Sequence, residues 1–200
     1  LEFRRVLFRS IKAAATPINL LSGLVQSDPA SLQIIRLNLE EISPDGKGIK
    51  SLDAIADILE NKPLLNVDFI YCINNEKAAD TLACLMTRKE FLNSEPMQSG
   101  NFNNIADTII IRYINEKLSP QTGTDNMPLT SLCRKYIGEE RLNSILDSLR
   151  AGHTEFVRTY LDTKRNIPSE RFRVVETTPD SIIPLRGAPL IRIYFTSESR

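Results

Sequence analysis

Residues 32–71, LQIIRLNLEEISPDGKGIKSLDAIADILENKPLLNVDFIY, decide the fold of this chain. At each end of this stretch apolar residues alternate with polar ones, as in a half-buried β-strand. In the middle they recur at three- and four-residue steps, as on one face of an α-helix. The stretch therefore predicts a strand, a helix and a second strand. Two strands joined through a helix are expected to run parallel, with a right-handed crossover.

Residues 139–195 add a long helix followed by two more strands. The residues between the two stretches have a mostly helical pattern. We therefore predict one α+β domain over residues 32–196, with two layers in which helices cover one face of a mixed sheet. A helical insertion is predicted at about residues 93–138.

Two local features of the first stretch carry further expectations. Its helix is predicted to begin at Ser43-Pro44, because serine can cap a helix and proline suits the first helical position. Gly46 and Gly48 are expected to weaken the first turn. The side of the strands opposite the helices is predicted to meet solvent, since it carries polar residues: Arg36, Asn38, Asn66, Asp68, Arg192 and Tyr194.

The ends and the composition limit the function classes. Residues 1–10, LEFRRVLFRS, read like a translated sequencing adapter and are set aside. Residues 11–31 are interpreted as a lead-in from a preceding region, so the chain is interpreted as a fragment. The 25 basic and 25 acidic residues cancel, which argues against nucleic-acid binding because that needs clustered positive charge. No apolar run approaches the roughly 20 residues of a membrane span.

The sequence contains no recognisable catalytic constellation. His153, the single histidine, is predicted to be a core or sheet-contacting residue, because a metal ligand or a general base would need partners that its neighbours do not supply. Residues 45–48, DGKG, lack the frame of a phosphate-binding loop. No enzymatic activity, metal or cofactor is predicted.

The cysteines and the end of the second strand leave two alternatives open. Cys72, Cys84 and Cys133 are predicted to be small buried hydrophobic residues, with a Cys84–Cys133 bridge as the alternative in an oxidising compartment. Asn74 and Asn75 lie where such sheets often place ligands. They equally suit the start of a helix, and we favour that interpretation.

Two stretches in the second half of the chain resemble segments of a known family. Residues 156–161, FVRTYL, and 166–172, NIPSERF, are similar to the V-x-x-Y-L and G-[IV]-x-x-x-R-[IFL] segments of OmpA-like domains. Residues 35–71 are similar to the first strand, helix and second strand of those domains. The wider arrangement, with an apolar lead-in at residues 16–21, resembles the degenerate OmpA-like domain that ends very large AsmA-like envelope proteins.

This resemblance implies a β-α-β-α-β-β fold and a location in the periplasm or cell envelope of a Gram-negative bacterium. It further implies a non-enzymatic terminal docking module, attached to a long β-rich body that takes part in outer-membrane assembly or lipid transport. The expected partner is another envelope protein or the upstream part of the same chain. The insertion and the polar side of the sheet are the candidate contact surfaces.

The resemblance also implies an alternative function, peptidoglycan binding. OmpA-like domains that bind peptidoglycan carry an aspartate after the second strand and an arginine four residues before the valine of V-x-x-Y-L. Here residues 72–76, CINNE, contain no aspartate, and the arginine position falls on His153. Arg150 lies one helical turn earlier, a displacement of about 5 Å. The alternative is therefore a relocated ligand clamp in which Arg150, beside His153, acts with Asn74 or Asn75.

Overall fold

The computed structural model describes residues 32–94, 105–118, 127–176 and 187–197. As predicted, the described chain is α+β, with a four-stranded mixed sheet. The strands are β1 (Ile34–Arg36), β2 (Leu65–Cys72), β3 (Phe172–Glu176) and β4 (Leu190–Ser197). The α-helices are α1 (Gly46–Asn61), α2 (Asn75–Ser94), α3 (Asp107–Lys117), α4 (Leu129–Ile137) and α5 (Glu139–Thr159). The adapter predicted at 1–10 and the lead-in predicted at 11–31 lie outside the described residues.

The described chain divides into two compact units. The sheet unit contains the described residues up to Ile73, those from Leu149 to Glu176, and those from Ala188 onward. The helical unit contains the described residues from Asn74 to Ser148, together with Gly187. The described residues of the predicted insertion at about 93–138 belong to the helical unit.

The last strand lies inside the sheet. The strand order is β1-β4-β2-β3, with β4 antiparallel to both β1 and β2, and β3 parallel to β2. Strands β1 and β2 consequently run in the same direction, as predicted, but β4 separates them. The pairing of β2 with β4 is the longest in the sheet and runs from Leu65 opposite Ser197 to Cys72 opposite Leu190.

Alternate residues of each long strand form the core of the sheet unit. Val67, Phe69 and Tyr71 of β2 are at most 1% exposed. On β1 the hydrogen-bonded strand ends at Arg36, although the predicted alternation of burial continues to Leu39. Helix α1 buries one apolar face in the same unit: Leu52, Ile55, Ala56, Ile58 and Leu59.

The start of α1 differs from the prediction. The helix begins at Gly46, and its cap is Asp45, whose carboxylate accepts a hydrogen bond of 2.8 Å from the amide of Gly48. An aspartate carboxylate caps a helix as well as a serine hydroxyl does. The predicted start at Ser43-Pro44 is therefore two residues too early.

Gly48 has a packing role that was not predicted from the sequence. A Cβ atom at this position would lie 2.6 Å from the Cβ of Pro44 and 3.0 Å from the Cγ2 of Ile35. The missing side chain thus lets the first turn of α1 approach β1. A Cβ at Gly46 would meet no atom within 4 Å, so only one of the two glycines is required by contact.

Arg171 ties the loop before β3 to the loop before β2. Its guanidinium donates to the carbonyl oxygens of Leu59 and Lys62 at 3.1 and 2.8 Å. It also donates to the carbonyl oxygen of Leu65 through two nitrogens, at 2.9 and 2.6 Å. A planar guanidinium with several donors suits this arrangement, because the last carbonyl groups of a helix have no partners within the helix.

The helical unit is held together by an aromatic cluster and by ion pairs. Phe91 of α2 and Tyr136 of α4 each pack edge-on against Tyr113 of α3. Arg134 of α4 pairs with three carboxylates, those of Glu76, Asp80 and Glu139. Gly138 ends α4 with a φ of 88°, a left-handed conformation that favours glycine.

The two glycines of α1 should respond oppositely to alanine. Gly48→Ala is expected to lower the free energy of unfolding by about 1–3 kcal/mol, because the new Cβ would overlap Pro44 and Ile35. Gly46→Ala, the matched control, should be neutral or raise it by up to about 1 kcal/mol, since alanine favours the helix. Urea denaturation of both variants measures the difference. Equal effects would contradict the close approach at Gly48.

Arg171→Lys should also destabilise the sheet unit. A lysine ammonium cannot reproduce the fork that reaches three carbonyl groups, so we expect a loss of about 1–3 kcal/mol in the free energy of unfolding. Arg158→Lys serves as the control, because its one backbone contact is a 3.4 Å bond to Val174. The control should change stability by less than about 0.5 kcal/mol. Similar losses in both variants would contradict the role assigned to Arg171.

Candidate functional site

One side of the sheet combines charged, polar and apolar residues. We call it the polar sheet face, and in the described strands it consists of Ile34, Arg36, Asn66, Asp68, Ile70, Cys72, Arg173, Val175, Leu190, Arg192, Tyr194 and Thr196. Of the residues predicted to meet solvent, Arg36 and Asn38 are exposed, while Asn66, Asp68, Arg192 and Tyr194 are half-buried. The prediction is thus confirmed for the first two and holds partly for the other four.

Arg192 occupies the middle of a row that crosses all four strands. Ile34 of β1 lies opposite Arg192 of β4, which lies opposite Ile70 of β2, which lies opposite Val175 of β3. Ile34 is 39% exposed. The Nε atom of Arg192 is buried and has no hydrogen-bond partner in the described ranges. A desolvated donor between apolar neighbours is energetically unfavourable, and such groups are rare in folded proteins.

The next row contains a complete ion pair. Arg173 of β3 donates through Nε and an Nη to the carboxylate of Asp68 on β2, at 3.1 and 2.8 Å. This bidentate contact raises the pKa of Arg173. Tyr194 of β4 lies opposite Asp68 on its other side. The polar sheet face therefore contains one neutralised pair, with Arg36 and Arg192 as its remaining charges among the described residues.

His153 is buried in the sheet unit, in contact with β2 as predicted. Its ring stacks on Tyr71, and it is 1% exposed. Nε2 donates to the carbonyl oxygen of Glu41 at 3.0 Å. Because Nε2 carries the proton, Nδ1 of the neutral ring accepts the hydrogen bond of 3.3 Å from the Tyr71 hydroxyl. Both nitrogens are therefore used within the fold.

The segment before α1 follows α5 closely at this point. A Cβ at Gly152 would lie 3.0 Å from two carbon atoms of Ile42, so the glycine admits that side chain. Burial lowers the pKa of His153, and the bond to the Glu41 carbonyl opposes this effect. Burial also raises the pKa of Tyr71, against the opposing positive charge of Arg150. The arrangement is a neutral, hydrogen-bonded anchor between α5, β2 and the loop before α1.

The remaining predicted ligand residues lie on two different helices, the two asparagines at the start of α2 and Arg150 in the middle of α5. Asn74 caps α2: its side-chain oxygen accepts from the amide of Lys77 at 3.1 Å, which favours the helix-start interpretation. Asn75, the first residue of α2, is exposed. Arg150 is half-buried on α5, in the sheet unit, whereas the two asparagines belong to the helical unit.

A charged cluster at the end of α5 was not anticipated from the sequence. There the helix changes to a π-helical turn, Tyr160–Lys164. The Tyr160 hydroxyl donates to Asp53 at 2.8 Å, and Arg165 donates to the same carboxylate at 2.7 Å. Arg165 also pairs with Asp57 and Glu60. Burial raises the pKa of Asp53, but these bonds outweigh it and hold that pKa below 3.8.

A sequence signal for this cluster exists, because Asp53, Asp57 and Glu60 follow one another at steps of four and three along α1. Such spacing places three carboxylates on one helix face. No corresponding signal marks the π-helical turn, which supplies the partner arginine. The cluster connects α1 to the end of α5, and each of its three carboxylates is paired with Arg165.

The described residues contain neither a cluster of metal ligands nor a helix suited to crossing a membrane. No three histidine, cysteine, aspartate or glutamate side chains gather there in a way that would hold a metal ion. None of the helices in those ranges has both the length and the apolar character to cross a membrane.

Comparison with protein-family models, with curated proteins and with solved structures gives no match to this chain. The fold described above therefore rests on the chain's own geometry.

His153 should make the stability depend on pH. Its pKa is lowered in the folded protein from the ordinary 6.5, so the unfolded chain binds the proton first and stability is lost as the pH falls below 6.5. Because the chain has one histidine, His153→Gln should remove the part of this dependence that begins at about pH 6.5 and extends below it. Urea denaturation across this range measures it. A folded-state histidine NMR signal titrating at 6.5 or above would contradict the assignment.

Proposed function

We propose that this chain is a non-enzymatic docking module that binds a partner protein through its polar sheet face. The observation that carries the proposal is Arg192, which lies between Ile34 and Ile70 and whose buried Nε has no hydrogen-bond partner among the described residues. Protein interfaces commonly place an arginine among apolar contacts. Side chains that rearrange on binding would let this guanidinium reach an acceptor on the partner.

The charges of this face favour an acidic partner. Its described residues include three arginines, Arg36, Arg173 and Arg192, against the single carboxylate of Asp68. Since Arg173 is already paired with Asp68, two positive charges remain for an incoming carboxylate. Complementary charge of this kind accelerates association and selects the partner.

The proposal extends to the biological setting that the resemblance implies. The chain would form the terminal part of a large AsmA-like envelope protein and act in the periplasm of a Gram-negative bacterium, in outer-membrane assembly or lipid transport. The order of strands and helices and the mixed sheet fit the implied β-α-β-α-β-β layout. The partner would be another envelope protein or the upstream part of the same chain.

Peptidoglycan binding through Arg150 with Asn74 or Asn75 has less support. His153, which occupies the arginine position of the family motif, is buried and uses both ring nitrogens within the fold. Asn74 uses its side-chain oxygen to cap α2. The docking proposal does not depend on any of these residues.

Site-specific crosslinking tests the docking surface. A photoreactive phenylalanine at Tyr194, on the polar sheet face, is expected to capture an acidic protein from Gram-negative envelope extracts. Arg192→Glu should reduce the yield about tenfold or more, because a carboxylate there would repel the partner and leave its acid unpaired. Added salt should lower the yield as well.

Matched controls separate the two units. Arg112→Glu, a charge reversal at an exposed position of α3, should leave the Tyr194 product unchanged. Capture from Tyr136 on α4, unaffected by Arg192→Glu, would assign docking to the helical unit and contradict the proposal. Retention of the chain on purified peptidoglycan sacculi, abolished by Arg150→Ala, would support the alternative instead.

A further inference from the structure

Cys84 and Cys133 lie next to each other within the helical unit. Helices α2 and α4, which carry them, pack together, and the two thiols are joined by a hydrogen bond. Thr87, three residues after Cys84 on the same helix face, hydrogen-bonds the Cys133 thiol as well. The open question left by the sequence, whether these two cysteines can meet, is thereby answered for the reduced protein.

The two thiols differ in accessibility. Cys133 is 0% exposed, whereas Cys84 is half-buried. Cys72, the third cysteine, is 2% exposed in β2 and hydrogen-bonds the carbonyl oxygen of Ile70 in the same strand. Cys84 is thus the most exposed of the three thiols, and the buried thiol of Cys133 is next to it.

We propose that Cys84 and Cys133 form a redox-active dithiol, which a low-molecular-weight disulfide converts to an intramolecular disulfide. This site is independent of the docking function proposed above. The Cys84 thiolate attacks one sulfur of the reagent, forms a mixed disulfide and releases one reagent thiolate, which takes up a proton. The Cys133 thiolate then attacks the Cys84 sulfur and releases the second reagent thiol. The chain loses two hydrogens and two electrons, which reduce the reagent disulfide to two thiols.

The surroundings make the second step faster than the first. In the reduced protein the hydrogen bond from Cys84 lowers the pKa of Cys133 and raises that of Cys84, and burial adds to the rise, which slows the first step. Once Cys84 is a mixed disulfide it has no S–H to donate, so the second step does not depend on this bond. The positive charge of Arg88 favours the thiolate of both residues. Because Cys133 is already in contact with Cys84, its attack is intramolecular and has a high effective concentration. The mixed disulfide should therefore not accumulate.

Oxidation of the full chain by glutathione disulfide under native conditions tests this site. The remaining thiols are alkylated after denaturation, and intact mass and peptide mapping locate the bonds. The expected product lacks two hydrogens, joins Cys84 to Cys133 and carries the alkyl group on Cys72. Cys72→Ser should react in the same way.

Two variants distinguish the roles of the thiols. Cys133→Ser should stop at a stable glutathione adduct on Cys84, because no second thiol resolves it. Cys84→Ser should show no adduct, because Cys133 is fully buried. Circular dichroism checks that each variant is folded. A lasting adduct on wild-type Cys84, a bond that involves Cys72, or thiols that stay free in the folded wild-type chain would each overturn the proposal.

Discussion

The position of β4 between β1 and β2 is the constraint on which the sheet unit depends. Without β4, β1 would have no neighbour, and β2 would keep only its pairing with β3. Both partners of β4 are antiparallel, and its first three residues, Leu190 to Arg192, are paired with a strand on each side. The alternation that buries Ile191, Ile193 and Phe195 also sets which residues of β2 face the helices. A shift of one residue would exchange the core with the polar sheet face.

Two arginine side chains connect α1 to the segments that follow α5. Arg171 joins three carbonyl groups around the end of α1, and Arg165 collects three carboxylates from the same helix. Both arginines lie in the irregular segment between α5 and β3, where the regular helical hydrogen bonds have ended. Arg192 differs from them, since its Nε has no acceptor in the part of the chain that the structure describes. Arg165 and Arg171 thus make their hydrogen bonds within the fold, whereas Arg192 has a donor without an acceptor among the described residues. This contrast is the basis of the docking proposal for the polar sheet face.

Sequence patterns predict the parts of this fold that depend on neighbouring residues. The α+β class, the order of elements and the burial of alternate residues from Ile35 to Leu39 follow from periodicity, and they are confirmed. The close approach at Gly48 was missed because it depends on Ile35, a residue of another element. The central place of β4 was not predicted either, since strand order is set by pairing between distant parts of the chain.

The candidate site shows the same division. The asparagine cap at Asn74 and the contact of His153 with the sheet follow from local chemistry and from the apolar face of α5. The Nε of Arg192 lacks a hydrogen-bond partner among the described residues because Ile34 and Ile70 lie on either side of it. These neighbours come from other strands, so only the assembled sheet reveals them. The meeting of Cys84 and Cys133 was left open by their spacing, because the packing of α2 on α4 decides it.

The π-helical turn at Tyr160–Lys164 affects how this chain aligns with others. A π-turn contains one residue more than the α-helical turn it replaces, and here it directly precedes the segment that leads into β3. A chain with an uninterrupted α-helix in this place would therefore lack a counterpart for one residue of this turn. An alignment that allows no gap there would shift residues 166–172 by one position, and would place Arg171 against the wrong column.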